Sequence, residues 1–176
     1  LGVLREIELN SSFKYLYPSA GSLYPVQIYI LMKENAVQDF SSGIYYYNAK
    51  NHSLIKITDE LPENIHFSYS LNIYNSSKFS IFLISDLRSI EPLYSTASIE
   101  YSYIEAGSIT QLLRSESYKY NIGLCSIGQV NDDNLKKVLN LDDKYLFLHT
   151  ILGGIISNDN KVINNGEDDE WEEIVI

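Results

Sequence analysis

Three apolar runs of seven or eight residues constrain this fold most, because each has the length of one buried β-strand. They are VQIYILM at 26–32, KFSIFLIS at 78–85 and YLFLHTIL at 145–152. β-Branched and aromatic residues dominate these runs, which favours strands over helices. None approaches the roughly 20 apolar residues of a membrane-spanning helix. The chain is therefore predicted to fold around a β-sheet and to contain no membrane-spanning helix.

A hairpin is predicted between the first two runs. Residues 43–47 and 53–57 are strand-like and flank the polar turn NAKNH. At the two ends of the pattern, residues 1–7 are expected to finish a helix, and the glycine pair at 153–154 is expected to stop the last strand.

Two helices are predicted in the second half of the chain. Residues 98–120 contain no proline and space their apolar side chains for one helix face, namely Ile104, Ile109, Leu112 and Leu113. Residues 124–130 are extended, and residues 132–139 form a short helix that Asn131 caps. Strands mixed with one long helix indicate an α+β or an α/β domain.

Length and charge limit the number of domains and the kinds of partner. A chain of 176 residues fits one domain, placed at residues 1–157, and the acidic end at residues 158–176 is expected to be a linker or tail. The net charge is 13 − 23 = −10 with no cluster of Lys or Arg, which argues against a nucleic-acid partner. The single cysteine, Cys125, cannot form an internal disulfide, which favours the cytoplasm.

Familiar catalytic motifs are absent from the sequence. It contains no GxxxxGK[ST], GxGxxG, HExxH or GxSxG pattern. The three histidines, His52, His66 and His149, lack the spacing of a metal site, and Cys125 has no histidine close to it in the sequence. We therefore expect no metal, and we interpret Cys125 as a small core residue.

The loop before the first long strand is the best candidate for a ligand contact. It reads YPSAGSLYP at 17–25, with two prolines, one glycine and two serine hydroxyls. Such a loop presents backbone N–H groups and hydroxyls at a fixed angle, which suits an anionic or hydrogen-bonding cofactor edge. From the residues alone, a ligand-binding loop and a merely rigid loop both remain open.

The same loop resembles the PSAGxLYP segment of the nitroreductase-like, FMN-dependent azoline oxidases. The resemblance continues in order through GIYYY at 43–47, IEAG at 104–107, QLL at 111–113, GLCSIG at 123–128 and LHTILGG at 148–154. The segments EPLY at 91–94 and DEWEE at 169–173 look most like oxidase domains embedded in nonribosomal peptide synthetases. The resemblance implies an α+β nitroreductase-like fold, with a mostly antiparallel central sheet flanked by helices and an incomplete N-terminus.

The resemblance also implies an FMN site shared by the two chains of a homodimer. In that family the loop of one subunit approaches the flavin bound by the other, so the implied cofactor contacts are Pro18, Ser19, Ala20, Gly21 and Ser22. A second segment would place backbone amides against the flavin ring, and it comprises Ile127, Gly128 and Gln129. The arginine-rich segment that binds the FMN phosphate in relatives would precede Leu1, and Lys14 is the nearest remaining cation.

The implied reaction is the oxidation of a thiazoline or oxazoline to the aromatic thiazole or oxazole while the substrate is held as a thioester on a peptidyl carrier protein. FMN accepts the hydride, and Tyr94 is the candidate base or proton relay, with packing as its alternative role. Related oxidases carry a Lys-Tyr pair at this point, and here Leu93 stands in place of the lysine. Glu105 is expected to cap or pair with a neighbouring loop rather than to act as a catalytic acid.

Three other functions remain open at this stage. One is a stand-alone azoline dehydrogenase that acts on ribosomal peptides, and another is a general flavin reductase. The third is a non-catalytic, nitroreductase-like scaffold domain inside a synthetase.

Overall fold

A computed structural model of the chain describes residues 1–9 and 12–156. The predicted acidic tail at residues 158–176, and with it the predicted domain boundary, lies outside the described residues. Within the described ranges, no helix combines the length and the apolar character needed to cross a bilayer.

Eight strands of the described residues form two antiparallel sheets. A small hairpin pairs β1 (Ile7–Leu9) with β2 (Ser12–Lys14). The central sheet has six strands, β3 (Val26–Met32), β4 (Gly43–Asn48), β5 (Ser53–Thr58), β6 (Phe79–Asp86), β7 (Ile122–Ile127) and β8 (Tyr145–Ile155). Their order across the sheet is β5-β4-β3-β6-β8-β7, and all neighbouring pairs are antiparallel.

The three apolar runs of the sequence are β3, β6 and β8, which lie side by side at the centre of this sheet. Successive side chains of a strand point to opposite faces. Ile28 and Ile30 of β3 belong to one core cluster, whereas Tyr29 and Leu31 belong to another on the other face. Because both faces are covered, these strands read as continuous apolar runs rather than as alternating ones.

Within residues 1–9 and 12–156, four α-helices accompany the sheet, namely α1 (Leu71–Ser76), α2 (Glu91–Tyr94), α3 (Ser98–Ser117) and α4 (Asp132–Val138). The long helix α3 packs Ala106, Ile109 and Leu113 into one core cluster. On the other face of the sheet, Leu135 of α4 is fully buried in the second cluster. The Asn131 side chain accepts a hydrogen bond from Asp133 N–H at 3.3 Å, as the predicted cap requires.

The α+β prediction with an antiparallel central sheet is confirmed, and so are the hairpin and both helices of the second half. The predicted helix at residues 1–7 is wrong. Gly2–Leu4 form a single 3-10 turn and a strand begins at Ile7. The physical reason is that Leu4 is completely buried beside α3, so packing rather than helix propensity fixes this segment.

The predicted stop at the glycine pair is also wrong, because β8 continues through Gly153 and Gly154 to Ile155. Both glycines pair with β7, and Lys78 N–H donates to the Gly153 carbonyl at 2.8 Å. A Cβ atom on Gly153 would lie 2.2 Å from Cζ of Phe79, so the ring packs where a side chain would be. Gly153 is therefore required by close packing rather than by a turn.

Gly153→Ala is expected to lower the free energy of unfolding by about 1–3 kcal/mol, the usual cost of overpacking a core. The added methyl group must displace the Phe79 ring. Gly154→Ala is the matched control, since its Cβ would meet no atom closer than 3.7 Å. Urea unfolding of both variants checks the prediction, and equal stabilities for the two would contradict it.

Candidate active site

The loop before β3 is a tight turn with an unusual backbone. Ala20–Ser22 form a 3-10 turn, and the Ser19 hydroxyl oxygen accepts a hydrogen bond from Tyr24 N–H at 2.8 Å. Positive φ angles occur at Gly21 (60°), Ser22 (56°) and Tyr24 (49°). Residues other than glycine hold this left-handed conformation only where their surroundings impose it. The loop is thus a fixed structure rather than a flexible connection.

Three tyrosine rings support the loop from the side of the core. The centroid of Tyr15 lies 4.3 Å from that of Tyr24 and 5.4 Å from that of Tyr17. Tyr17 and Tyr24 meet edge to face at 5.8 Å. Aromatic contacts of this kind add stability beyond the burial of apolar area. They explain how a loop with three left-handed residues in close succession keeps its shape.

Tyr94, the predicted catalytic residue, lies against this loop. A Cβ atom added to Gly21 would be 3.1 Å from the Tyr94 hydroxyl oxygen and 3.3 Å from Cδ2 of Leu93. The Tyr94 ring also meets Tyr101 of α3 edge to face, with 4.8 Å between centroids. The structure therefore brings the hydroxyl of Tyr94 to the tip of the predicted cofactor loop, although 73 residues separate Gly21 from Tyr94 (94 − 21 = 73).

A cation lies on the outer side of the same loop. The ammonium group of Lys14 donates to the hydroxyl oxygen of Ser22 at 2.9 Å, and this bond is exposed. Pro18 and Gly21 are exposed as well. An ammonium next to a hydroxyl can bind an anionic or carbonyl oxygen. The solvent-facing side of the loop is therefore polar and carries a positive charge.

Glu105 of α3 lies under the loop and is only 2% exposed. Its Oε1 accepts a hydrogen bond from Val26 N–H at 3.2 Å. Burial raises the pKa of the Glu105 carboxyl to about 7, while the Ser19 hydroxyl and the Val26 N–H oppose the rise. The expected pairing of Glu105 with a neighbouring loop is confirmed, because it joins the helix to the end of the predicted cofactor loop.

The second predicted cofactor segment lies at the same end of the sheet but apart from the loop. Ile127 is buried at the end of β7, and Gly128 and Gln129 are exposed. Strands β6 and β8 separate β7 from β3, which at the usual strand spacing amounts to about 14 Å. Within one chain, therefore, the structure joins the loop to Tyr94 and leaves the segment 127–129 separate.

The sequence interpretation did not include two aromatic residues next to this second segment. The hydroxyl of Tyr69 donates to the Gln129 carbonyl at 3.2 Å, and the Tyr69 ring stacks on Phe67 with 5.8 Å between centroids. Tyr69 is 65% exposed. The only signal in the sequence is an apolar residue at every second position of FSYSLNI, which is not specific to a binding site.

An open groove of about 550 Å³ lies between the start of the loop and α3. Its volume is within the range of small-molecule pockets. Two side chains of its wall are unusually exposed for their type, Ile104 at 61% and Leu16 at 56%. The groove is lined by Leu16, Tyr17, Pro18, Ile104, Gly107, Ser108, Gln111, Leu112 and Ser115. The part of its wall that α3 contributes includes the small residues Gly107 and Ser108.

The sequence matches the nitroreductase family over residues 4–154. That match covers most of the chain, so the chain belongs to the nitroreductase family. This is a family of oxidoreductases that typically use a flavin. In the described parts of the chain, no three His, Cys, Asp or Glu side chains group together as metal ligands would.

Two known proteins are similar to the chain in sequence, and a third is similar in fold. It is 25% identical to the indigoidine synthase of Dickeya dadantii over 141 residues, which are 80% of this chain and 9% of that protein. It is 22% identical over 133 residues to a protein of Methanocaldococcus jannaschii that bears the name of a nitroreductase, covering 74% of this chain and 66% of that one. The chain thus spans less than two thirds of either relative.

A chain of the E. coli microcin synthetase McbBCD complex, solved with truncated pro-MccB17 bound, has a similar fold. The TM-score is 0.72 at 17% sequence identity, and the match covers 90% of this chain and 62% of that chain. At that identity the likeness shows a shared fold.

The residues of this chain fit a bound flavin. The Lys14 ammonium and the Ser22 hydroxyl suit an anionic or carbonyl oxygen, and both face solvent at the loop. Gly21 has no side chain where the Tyr94 hydroxyl approaches, so Tyr94 can lie close to the loop backbone there. The Lys14 ammonium and the Ser22 hydroxyl both belong to this chain, and they support the interpretation of the loop as a cofactor contact.

Proposed function

We propose that the chain is an FMN-dependent dehydrogenase that oxidises a thiazoline or oxazoline to the thiazole or oxazole while the substrate is bound to a peptidyl carrier protein in the cytoplasm. The observation that carries the proposal is the contact of the Tyr94 hydroxyl with the loop at Gly21. It places a group able to move a proton beside a loop whose donor set suits a flavin. The similarity to part of an indigoidine synthase supports a domain within a larger synthetase.

Each residue has a separate role in this proposal. Pro18, Ser19, Ala20, Gly21 and Ser22 hold the cofactor of the partner subunit, and Ile127, Gly128 and Gln129 hold the cofactor of their own subunit. When bound, FMN accepts the hydride that leaves the substrate ring. Tyr94 accepts or relays the proton that leaves the neighbouring carbon, so that two hydrogens are removed in total. Lys14 is the candidate contact for the FMN phosphate.

The shared site predicts a yellow homodimer. FMN added to the purified chain should give flavin absorbance that persists through gel filtration, and light scattering should give twice the mass of one chain. The loop and the segment 127–129 are separated by two strands within one chain, so half a site should bind poorly. The exposed Ile104 and Leu16 are the apolar side chains that a second copy would cover. A monomer that retains flavin would contradict the shared site, and colourless protein that takes up no FMN would favour the scaffold function.

Oxidation of a free peptide is the second candidate function. The observation that favours it is the shared fold with a chain of a microcin synthetase complex that was solved with a peptide precursor bound. A thiazolinyl carrier thioester, a thiazoline-bearing free peptide, and a nicotinamide reductant with a quinone should be offered to the same purified protein. Faster turnover of the thioester supports the proposal, whereas preference for the peptide or for the quinone assigns one of the alternatives.

A further inference from the structure

We propose that Glu105 is a positioning residue that fixes the cofactor loop against α3. The affinity of the loop for its ligand then depends on the charge of this one carboxylate. The inference rests on the proposed function for the identity of the ligand. The anchoring of the loop itself follows from contacts within the chain.

The first observation is a short series of hydrogen-bonding groups that ends at Glu105. Val26 N–H donates to Glu105 Oε1 at 3.2 Å, which holds the first residue of β3. Tyr24 N–H donates to the Ser19 oxygen at 2.8 Å, and the Ser19 hydroxyl in turn favours the charged form of Glu105. An ionised carboxylate accepts hydrogen bonds and donates none. The charged form thus holds Val26 directly after the loop, and the Ser19 hydroxyl of the loop favours that charged form.

The second observation is that Glu105 lies in a row of buried polar side chains. Ser98, Ser102 and Glu105 follow one face of α3 and are at most 2% exposed. The Ser102 hydroxyl lies 2.8 Å from that of Ser85, which pairs with Val26 in the sheet. Buried polar groups cost free energy unless they are hydrogen-bonded. Ser102 and Glu105 make such bonds, to Ser85 of β6 and to Val26 at the start of β3, whereas the Ser98 hydroxyl has no partner in the described residues.

The third observation is that the other carboxyl oxygen of Glu105 is buried and has no hydrogen-bond partner in the described residues. Protonation at Oε2 would therefore create a buried donor without an acceptor. The neutral form would also weaken the bond from Val26 N–H, because hydrogen bonds to charged groups are the stronger ones. The two charge states of Glu105 accordingly hold the loop with different strength.

The groups that face Glu105 in the described residues do not change charge near pH 7. Tyr17 is the titratable group that faces it from the loop, and burial, with a smaller contribution from the charge of Glu105, raises the Tyr17 pKa. Tyr17 therefore stays neutral at physiological pH. From β3 the facing group is the Val26 N–H, and from β6 it is Ser85 through Ser102. With the pKa of Glu105 raised to about 7, its charge changes between pH 6 and pH 8.

An NMR titration of the unliganded full chain tests the anchoring without any ligand. The amide resonances of Tyr24 and Val26 should shift with a midpoint near pH 7, and Glu105→Gln should abolish both shifts. Glu100→Gln, an exposed substitution on the same helix, should leave them in place. Flat resonances in the unmodified protein, or the same titration in Glu105→Gln, would overturn the inference. Glu105→Asp, which keeps the charge, should restore a titration if Glu105→Gln fails to fold.

FMN affinity measured by fluorescence at pH 6, 7 and 8 tests the consequence for the ligand. The FMN affinity of the unmodified chain should rise roughly fivefold more between pH 6 and pH 8 than that of Glu105→Gln. This factor is the difference between a charged and a neutral acceptor at the bond from Val26 N–H. The phosphate of FMN titrates equally in both proteins, so the comparison cancels it. Equal pH profiles would overturn the role of Glu105. Absence of FMN binding at every pH would overturn the proposed function, while the NMR titration would still decide the anchoring.

Discussion

Tyr94→Phe is expected to lower turnover of a carrier-bound thiazoline about 10²–10⁴-fold, the usual worth of a positioned acid or base. The substitution removes only the hydroxyl that lies beside Gly21, and the ring can keep its edge-to-face contact with Tyr101. FMN binding and the free energy of unfolding should therefore stay close to those of the unmodified chain. Single-turnover reduction of bound FMN by the substrate is the measurement, because it isolates the chemical step from product release.

Tyr103→Phe is the matched control for this experiment. Tyr103 lies on α3, is 50% exposed, and has no contact with the cofactor loop among the hydrogen bonds and ring contacts of the described residues. The Tyr103→Phe variant should turn over the carrier-bound thiazoline at the rate of the unmodified protein. If Tyr94→Phe does the same, Tyr94 is a packing residue, and water or another tyrosine takes the proton.

The loop itself could be recognised from the sequence, whereas its surroundings could not. Two prolines, a glycine and two serines within nine residues form a local signal. The contact between Gly21 and Tyr94 depends on how α2 packs after β6, and no local pattern carries that information. The same holds for Glu105, whose bond to Val26 N–H spans 79 residues.

The wrong predictions for residues 1–7 and for the glycine pair 153–154 have the same origin. Residues 1–7 contain good helix formers, yet burial of Leu4 decided their conformation. Gly153 and Gly154 look like a strand terminus, yet the Phe79 ring of the neighbouring strand needs the space that glycine leaves. Local propensity was overridden at both places by a contact distant in sequence.

The second large effect concerns acid stability and comes from His66, which is 6% exposed. Both of its ring nitrogens lack a hydrogen-bond partner in the described part of the chain. The ring stacks on Tyr74 with 4.2 Å between centroids, and the Lys33 ammonium lies 3.9 Å from the centroid of the same tyrosine. Burial first, and the charge of Lys33 second, lower the pKa of His66 to about 4.

This shift makes the protein less stable in acid. Between pH 6.5 and pH 4 the unfolded chain binds a proton at His66 that the folded chain does not, so stability is complete above pH 6.5 and falls as the pH approaches 4. At 1.36 kcal/mol for each unit, the loss from this one residue reaches about 3 kcal/mol. Below pH 4 both states are protonated at this site and the loss stops growing.

His66→Phe should remove this loss while keeping the stacked ring, since phenylalanine has no nitrogen to protonate or to leave unpaired. We expect the free energy of unfolding of the variant, relative to the unmodified chain, to increase by about 3 kcal/mol from pH 7 to pH 4. Lys33→Gln, which removes the lesser cause and leaves the burial, should recover only a fraction of that amount. Urea unfolding at pH 7, 5.5 and 4 measures all three proteins. A constant difference between His66→Phe and the unmodified chain would show that the buried imidazole is protonated as easily in the folded state as in the unfolded one.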